Sequence, residues 1–371
     1  MTTLYLVRHA QAEGNLYRRF HGQYDSRLTG LGRRQLVPLA LRFADVPLAA
    51  VYSSTLNRGR TTAEAIARPH SLPVQTDPRL LEFRAGIWED LPVGELERFH
   101  AAAFDTLKHD PRALSVEGAE TWEQLTSRFI EVLTELAAKH DGQEIVVVSH
   151  SLILGNSLER MFPGQVPGGY IDNTAVTCLT WDGAKFTPVY WSDTSHLPPA
   201  LSTYESQRAF REHPEAHYQF WFQSALHEPE WYIRFRREAW ELIYGDLRGF
   251  DGADFWATAV RDAEDDPAAI VFPMSDNRIA GILQLNVNGY ASSNAGYIPF
   301  IFLREEYRNK GLGAQLIGYA VQYFRKLGRT RLQLSVAPEN APAIRFYEKL
   351  GFRRVAVSGG RYKLWLMEKE I

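Results

Sequence analysis

The sequence predicts an α/β protein in two parts, a mostly parallel sheet flanked by helices followed by a smaller α+β domain. Three observations predict it. The chain has 371 residues, and single cores usually stop growing near about 250–300 residues, so two domains are expected. Two apolar runs of strand length, Leu4–Val7 and Ile145–Val148, each end in a polar pair, Arg8-His9 and Ser149-His150, with helical periodicity between them, as in a parallel sheet. After residue 195 a stretch with three prolines, three histidines and no apolar face precedes a fresh series of antiparallel strands and helices, the pattern of a separate α+β domain. The boundaries expected are 1–195, a connection over 196–217, and 218–371.

Composition narrows the function classes. Residues 1–195 carry 19 basic against 23 acidic side chains, and residues 196–371 carry 22 against 21. Neither part has the basic excess of a nucleic-acid binder. Cys178 is the single cysteine, so no disulfide can form within the chain. The amino terminus enters a strand directly, without the pattern of a secretory signal, and no apolar run approaches the roughly 18 residues of a spanning helix. A cytoplasmic protein with small-molecule partners, and with neither nucleic acid nor membrane, is expected.

In chain order, the first strand ends in Arg8 and His9, at the edge where open α/β sheets hold their ligands. Thr29 reads as the cap of a helix with apolar positions Leu36, Leu39, Ala40 and Phe43. A strand over Ala49–Ser53 leads through Ser54-Thr55 into a helix whose first turn holds Arg58, close to backbone donors that also favour anions. Residues 77–118, rich in Pro, Gly and acid and carrying Glu82, read as irregular. Thr121 to Gln124 is a capping box opening a helix with Leu125, Phe129, Val132, Leu133 and Leu136 on one face. A valine-rich strand then delivers His150, and Trp181–Trp191 reads as a closing hairpin.

Two strand-end histidines, two arginines and a carboxylate suit phosphoryl transfer. Imidazole is a competent nucleophile near neutral pH, guanidinium groups bind phosphate oxygens in pairs, and a carboxylic acid can protonate a leaving oxygen. Fixed cations do the charge neutralisation, so no metal is expected. His9 and His150 have no third ligand at a metal-binding spacing, and neighbouring arginines oppose a cation.

Arg8-His9-Ala10, Asn15, Gly22-x-x-Asp25-x-x-Leu28-Thr29, Ser53-Ser54 with Arg58 and Thr61-Thr62-Ala63, Glu82 with Gly86 and Trp88-Glu89, and Ser149-His150 resemble the histidine phosphatase superfamily, of phosphoglycerate-mutase-like fold. The resemblance implies a nucleophilic His9 that forms a phosphohistidine, with Arg8, Arg58 and His150 holding the phosphoryl group and Glu82 as proton donor. It also implies lesser phosphate contacts from Asn15, Gln23 and Ser151. Ala10, Ser151 and Asp90 depart from the family's usual glycines.

In the second part, a short strand to about Ser224 and two helical stretches between Glu230 and Asp262 precede strands near Ala269–Pro273, Arg278–Val287 and Tyr297–Leu303. The turn Arg308-Asn309-Lys310-Gly311-Leu312-Gly313 then lies between a strand and a helix, where glycines free backbone N–H groups to face a diphosphate. Downstream, Asn340 suits a helix cap and Gly351 a helix stop. The region from Tyr218 to Ile371 resembles the GNAT family of N-acetyltransferases. That resemblance implies that Arg308 to Gly313 bind the pyrophosphate of acetyl-coenzyme A, that Asn340 contacts the cofactor arm, and that Tyr347 protonates the departing thiolate. Trp256, Asn286 and Tyr290 are candidates for lining the acceptor site.

The expectation is therefore a bifunctional enzyme. One part is a metal-independent phosphomonoesterase acting on a small phosphoester, and the other an acetyl-coenzyme A-dependent N-acetyltransferase acting on a small-molecule or peptide amine. The alternatives are a phosphomutase in the first part, or one part kept as a ligand-binding regulator. Arg84, Arg98, Lys108 and Arg112 are the only arginines and lysines between Glu82 and Thr121, too few for the cluster that would hold a second phosphate, which favours hydrolysis.

Overall fold

A computed structural model describes residues 1–168, 171–207, 218–263, 266–357 and 363–371. The chain divides into two compact units, Met1–Leu91 with Leu96–Pro214, and Pro92–Glu95 with Glu215–Ile371.

In the first unit six strands form one sheet. Their order is Val74–Thr76, Leu48–Ser53, Glu144–Ser149, Thr2–Arg8, Val176–Trp181, Phe186–Asp193. The first four run parallel, and the last two close the edge as an antiparallel hairpin. Val7, Val51, Val146 and Val148 are fully buried in a core with Leu39, Phe43, Ala63 and Ile66 from the two flanking helices. Strands covered on both faces read as continuous apolar runs, which is why the sequence exposes them.

The helix signals hold at their caps. Thr29 Oγ1 accepts from the Gly32 N–H at 3.0 Å at the start of Gly30–Phe43. Thr121 and Gln124 exchange bonds at the start of Trp122–Lys139. The stretch 77–118 is less irregular than expected, because it contains helices Val93–Phe99 and Ala101–His109. The run between Pro92 and Pro111 has no proline, and Ala101 to Ala103 favour helix intrinsically. The buried Leu96 and Phe104 supply apolar anchors.

The beginning of the expected connection is ordered on the first unit. The Gln35 amide donates to the Leu201 carbonyl at 2.7 Å and to Thr203 Oγ1 at 3.1 Å, and Asp172 accepts from Ser202 Oγ and the Tyr204 N–H. The rest of it, 208–217, lies outside the described residues.

The second unit holds an eight-stranded sheet. Its strands are antiparallel except for Ala295–Leu303 and Arg331–Val336, which are parallel neighbours. These two pair only through Ala295–Ile298 and Arg331–Leu334, so they part toward their carboxyl ends. Helices Pro229–Tyr244 and Gly252–Ala263 precede the central strands, Gly313–Lys326 connects the parallel pair, and Ala341–Lys349 follows it. Asn340 Oδ1 accepts from the Ala343 N–H at 3.2 Å, and Gly351 has φ 91°, as a helix stop requires.

Candidate active site

Parallel pairing of Thr2–Arg8 with Glu144–Ser149 sets Arg8 opposite Ser149. The next residue on each strand is therefore a histidine at the same sheet edge. The rings of His9 and His150 lie 5.0 Å apart, centre to centre, at 57°. His9 Nδ1 is 2.7 Å from the Ala10 carbonyl oxygen. A carbonyl can only accept, so Nδ1 carries the proton and Nε2 keeps its lone pair. An imidazole fixed in this way can attack an electrophile through Nε2.

Arg58 enters from the first turn of Asn57–Ala67 and is buried. Its Nη1 and Nη2 donate to the carbonyls of Tyr24 (2.7 Å) and Gly22 (2.6 Å). Arg8 donates to the Ile171 carbonyl. His150 Nε2 is 2.8 Å from Ser54 Oγ, while its Nδ1 is buried with no partner among the described residues. Burial pulls the pKa of both His9 and His150 well down, and the Arg58 charge adds to it. Burial likewise lowers Arg58, to about 10. These are the signs of cationic and imidazole groups gathered out of water for an anion the chain does not itself supply.

Glu82 lies at the head of helix Ser151–Met161. Its Oε1 accepts from the N–H groups of Phe83 (2.9 Å) and Ile153 (3.0 Å), and its Oε2 from that of Leu152 (3.1 Å), with Ser151 Oγ at 3.5 Å. The carboxyl group thus meets two otherwise open donors of the helix. Arg128 fixes this segment by donating to the carbonyls of Arg79, Leu81 and Glu82, while its own charge rests on Glu120 at 2.7 Å.

One cavity of about 220 Å³ is lined by Arg8, His9, Asn15, Arg58, Glu82 and Ser151. Gln23 is absent from its lining, and its amide donates to the Glu82 carbonyl at 3.0 Å. In its place the cavity wall carries His21 and Arg19, which sequence reasoning missed. Asp90 holds both, Arg19 Nε at 2.8 Å and His21 Nε2 at 3.2 Å. Asp90 has φ 56°, a conformation a glycine would adopt without strain. The departure from glycine at position 90 was visible in the sequence, but its partners lie about 70 residues away along the chain. Asn173 was also missed. Its Nδ2 donates to the His9 carbonyl at 2.8 Å. Among the described residues no group of three or more His, Cys, Asp or Glu side chains could hold a metal ion, and no helix is long and apolar enough to cross a membrane.

In the second unit, Asn309 and Gly311 take left-handed conformations with φ 58° and 74°, and helix Gly313–Lys326 starts without a side-chain cap. Its first N–H groups are thereby left for an anion, which fits the pyrophosphate of acetyl-coenzyme A. The Arg308 side chain is turned back on the preceding strand, with Nε on the Leu303 carbonyl at 2.6 Å and its guanidinium 4.9 Å from the Phe302 ring centre. A Cβ on Gly313 would lie 2.9 Å from the Phe346 ring, so that glycine admits a neighbouring aromatic. Tyr347 is buried, and burial raises its hydroxyl pKa.

The family model described as histidine phosphatase superfamily (branch 1) matches residues 4–194, and that of the acetyltransferase (GNAT) family matches residues 201–352. Among curated proteins the chain is similar to phosphoglycerate mutase-like protein 4 of Arabidopsis thaliana, with 32% identity over 52% of this chain and 85% of the relative. It is also similar to the metal-independent phosphoserine phosphatase of the same plant, with 31% identity over 53% of this chain and 84% of the relative. Among solved structures, Bacillus stearothermophilus YhfR aligns with a TM-score of 0.51 and 30% identity, covering 53% of this chain and all of that one. Both families are enzyme families, one of phosphatase type and one of acetyltransferase type. The strand-end histidines and the sheet that carries them agree with the first match, and the parting parallel strands with the second: the chain belongs to the histidine phosphatase superfamily, and it carries a GNAT acetyltransferase domain in the same polypeptide.

Proposed function

We propose that the first domain hydrolyses small phosphomonoesters without a metal, through a phosphohistidine on His9, and that the second transfers an acetyl group from acetyl-coenzyme A to a small amine. The observation that carries the first reading is His9 lining one cavity with Arg8 and Arg58, with the fully buried His150 ring 5.0 Å from it, outside the lining. In this reading His9 Nε2 attacks phosphorus, the arginines balance the charge on the phosphoryl oxygens, His150 donates a hydrogen bond to one of them, and Glu82 or a water it holds protonates the departing alcohol. Water then cleaves the phosphohistidine. Hydrolysis is favoured over a mutase cycle because none of Arg84, Arg98, Lys108 and Arg112 lines the cavity. Arg19 does, but its Nε and Nη2 are both on Asp90.

The domain limits proposed are 1–195 and 218–371, with 196–207 belonging physically to the first. A location in the cytoplasm follows from the chemistry proposed, since acetyl-coenzyme A is an intracellular metabolite.

Rapid quenching during turnover of p-nitrophenyl phosphate should trap acid-labile phosphate on the protein. His9→Ala should abolish both the trapped phosphate and turnover, by roughly 10⁴-fold or more. Full activity in His9→Ala, or its loss on adding a chelator, would refute the mechanism.

A further inference from the structure

The second unit holds two opposite charges that do not meet. Arg236, on helix Pro229–Tyr244, donates from Nε to the Tyr232 hydroxyl at 3.0 Å and from Nη2 to Gln284 Oε1 at 3.2 Å. Its guanidinium lies 4.0 Å from the ring centre of Phe300 and 4.9 Å from that of Phe255. No carboxylate is within ion-pair distance of it among the described residues, and Nη1 has no protein partner there. Asp262, on helix Gly252–Ala263, accepts from Gln284 Nε2 at 3.0 Å and from Asn286 Nδ2 at 2.7 Å. Among the described residues it has no cationic partner at ion-pair distance either. Burial pushes the Asp262 carboxyl up, against the Gln284 bond and the charges of Arg261 and Arg236, which pull it down.

A half-buried charge left without a counter-charge is costly, because nothing offsets its desolvation. Here the Gln284 side chain stands between them, its oxygen taking Arg236 and its nitrogen serving Asp262. The gap is therefore spanned by two hydrogen bonds and one planar amide. An α-amino carboxylate has nearly the same reach, with a cation at one end for the carboxylate and an anion at the other for the ammonium group.

The position of the pair is also informative. Gln284 is the register partner of Phe300, and Asn286 that of Tyr297. The Tyr297 hydroxyl donates to Ser335 Oγ at 3.0 Å, which bridges the two parallel strands where their pairing ends. The ring of Tyr290 lies 4.9 Å from that of Tyr297. The cluster thus borders the opening between the strands whose carboxyl ends lead to the Arg308–Gly313 turn and to Asn340. Two of the three acceptor-lining candidates from the sequence, Asn286 and Tyr290, belong to it, and Trp256 packs on Tyr232 at 5.2 Å.

We propose that Arg236 and Asp262 recognise the carboxylate and the ammonium group of a free α-amino acid, which is the acetyl acceptor. This rests on the acetyltransferase reading above and names its substrate class. Aromatic rings pack on Arg236, Arg236 sets the site against amines and esters that lack a carboxylate, and Asp262 sets it against nitrogen that is already acylated and carries no charge.

The test uses the full chain, acetyl-coenzyme A, the standard L-amino acids and, for each acceptor found, its decarboxylated amine and its methyl ester. Thiol release gives kcat/KM, and calorimetry gives binding of the amino acid in the presence of coenzyme A. The amino acid should exceed its amine and ester at least roughly tenfold. Arg236→Gln should lower kcat/KM and binding for the amino acid by at least about tenfold, while the amine, the melting temperature and acetyl-coenzyme A binding stay nearly unchanged. Arg236→Lys should recover part of the loss. If Arg236→Gln fails to fold, the comparison of amino acid with methyl ester on the parent chain decides. Equal use of acid, amine and ester, or equal loss on all in Arg236→Gln, overturns the inference alone. Failure of the parent to bind acetyl-coenzyme A overturns the acetyltransferase reading and this proposal together.

Discussion

Two helix N-termini divide the chemistry of this protein. At Ser151–Met161 the open N–H groups of Leu152 and Ile153 meet the carboxylate of Glu82, brought in from a loop 70 residues earlier. At Gly313–Lys326 no side chain caps the first turn, and the preceding backbone is bent through left-handed Asn309 and Gly311. The same electrostatics act at both ends. In the first domain the protein provides the anion itself, and the carboxyl group so held lines the cavity with His9. In the second no side chain takes that place, and in the function proposed above the cofactor supplies the anion. A helix end completed by the chain holds a carboxyl group in place, and one left uncapped keeps its donors open to an anion from outside.

The largest test of that contrast is Glu82→Gln. An amide has one acceptor oxygen and a nitrogen that can only donate, so an N–H at the helix head loses its partner. Turnover of alkyl phosphates should fall roughly 10²–10⁴-fold, and that of aryl phosphates, whose leaving groups need little protonation, much less. Equal loss on both classes would make Glu82 only the cap of its helix.

Next in size is the anchoring of residues 199–207. A chain ending at residue 198 leaves the buried Gln35 and Asp172 without Leu201, Ser202, Thr203 and Tyr204. Chemical denaturation should find it less stable than a chain ending at residue 207 by roughly 2–5 kcal/mol. Equal stability would return this segment to a simple connection between the domains.

The buried imidazoles set a pH dependence. Their folded pKa values lie below the ordinary histidine value, so the unfolded chain binds more protons under mildly acidic conditions. Their contribution is complete above about pH 6.5 and is lost as pH falls below it, by up to about 1.4 kcal/mol per pH unit for each group. His150→Gln should flatten the slope measured by denaturation between pH 5 and 7. Inorganic phosphate should restore stability at the acidic end, since an anion in the cavity favours the protonated rings. A slope unchanged in the variant would assign the acid sensitivity elsewhere.

The smallest effect belongs to the uncapped helix. Gly311 has φ 74°, so Gly311→Val strains the turn and should weaken acetyl-coenzyme A binding by at least roughly tenfold, about 1.4 kcal/mol. Tyr347→Phe should leave binding within about twofold and lower turnover. Calorimetry on both variants decides, and normal binding by Gly311→Val would remove the cofactor from this turn.

Local signals were enough for much of the molecule. The apolar runs ending in His9 and His150, the caps Thr29, Thr121 and Asn340, and the glycine turn at 311 are each written within a few neighbouring residues, because periodicity and capping bonds have short reach. Tertiary structure decided the rest. The helices within 93–109 depended on buried Leu96 and Phe104, and the Gln23 amide turned to a carbonyl that the fold brings to it. His21 and Arg19 reached the cavity wall on Asp90, about 70 residues away, and Gln284 came between Arg236 and Asp262 from a third element. Side chains at such separations meet only after the sheets have set their register, so composition and spacing carry no record of which polar groups will pair and which will be kept apart.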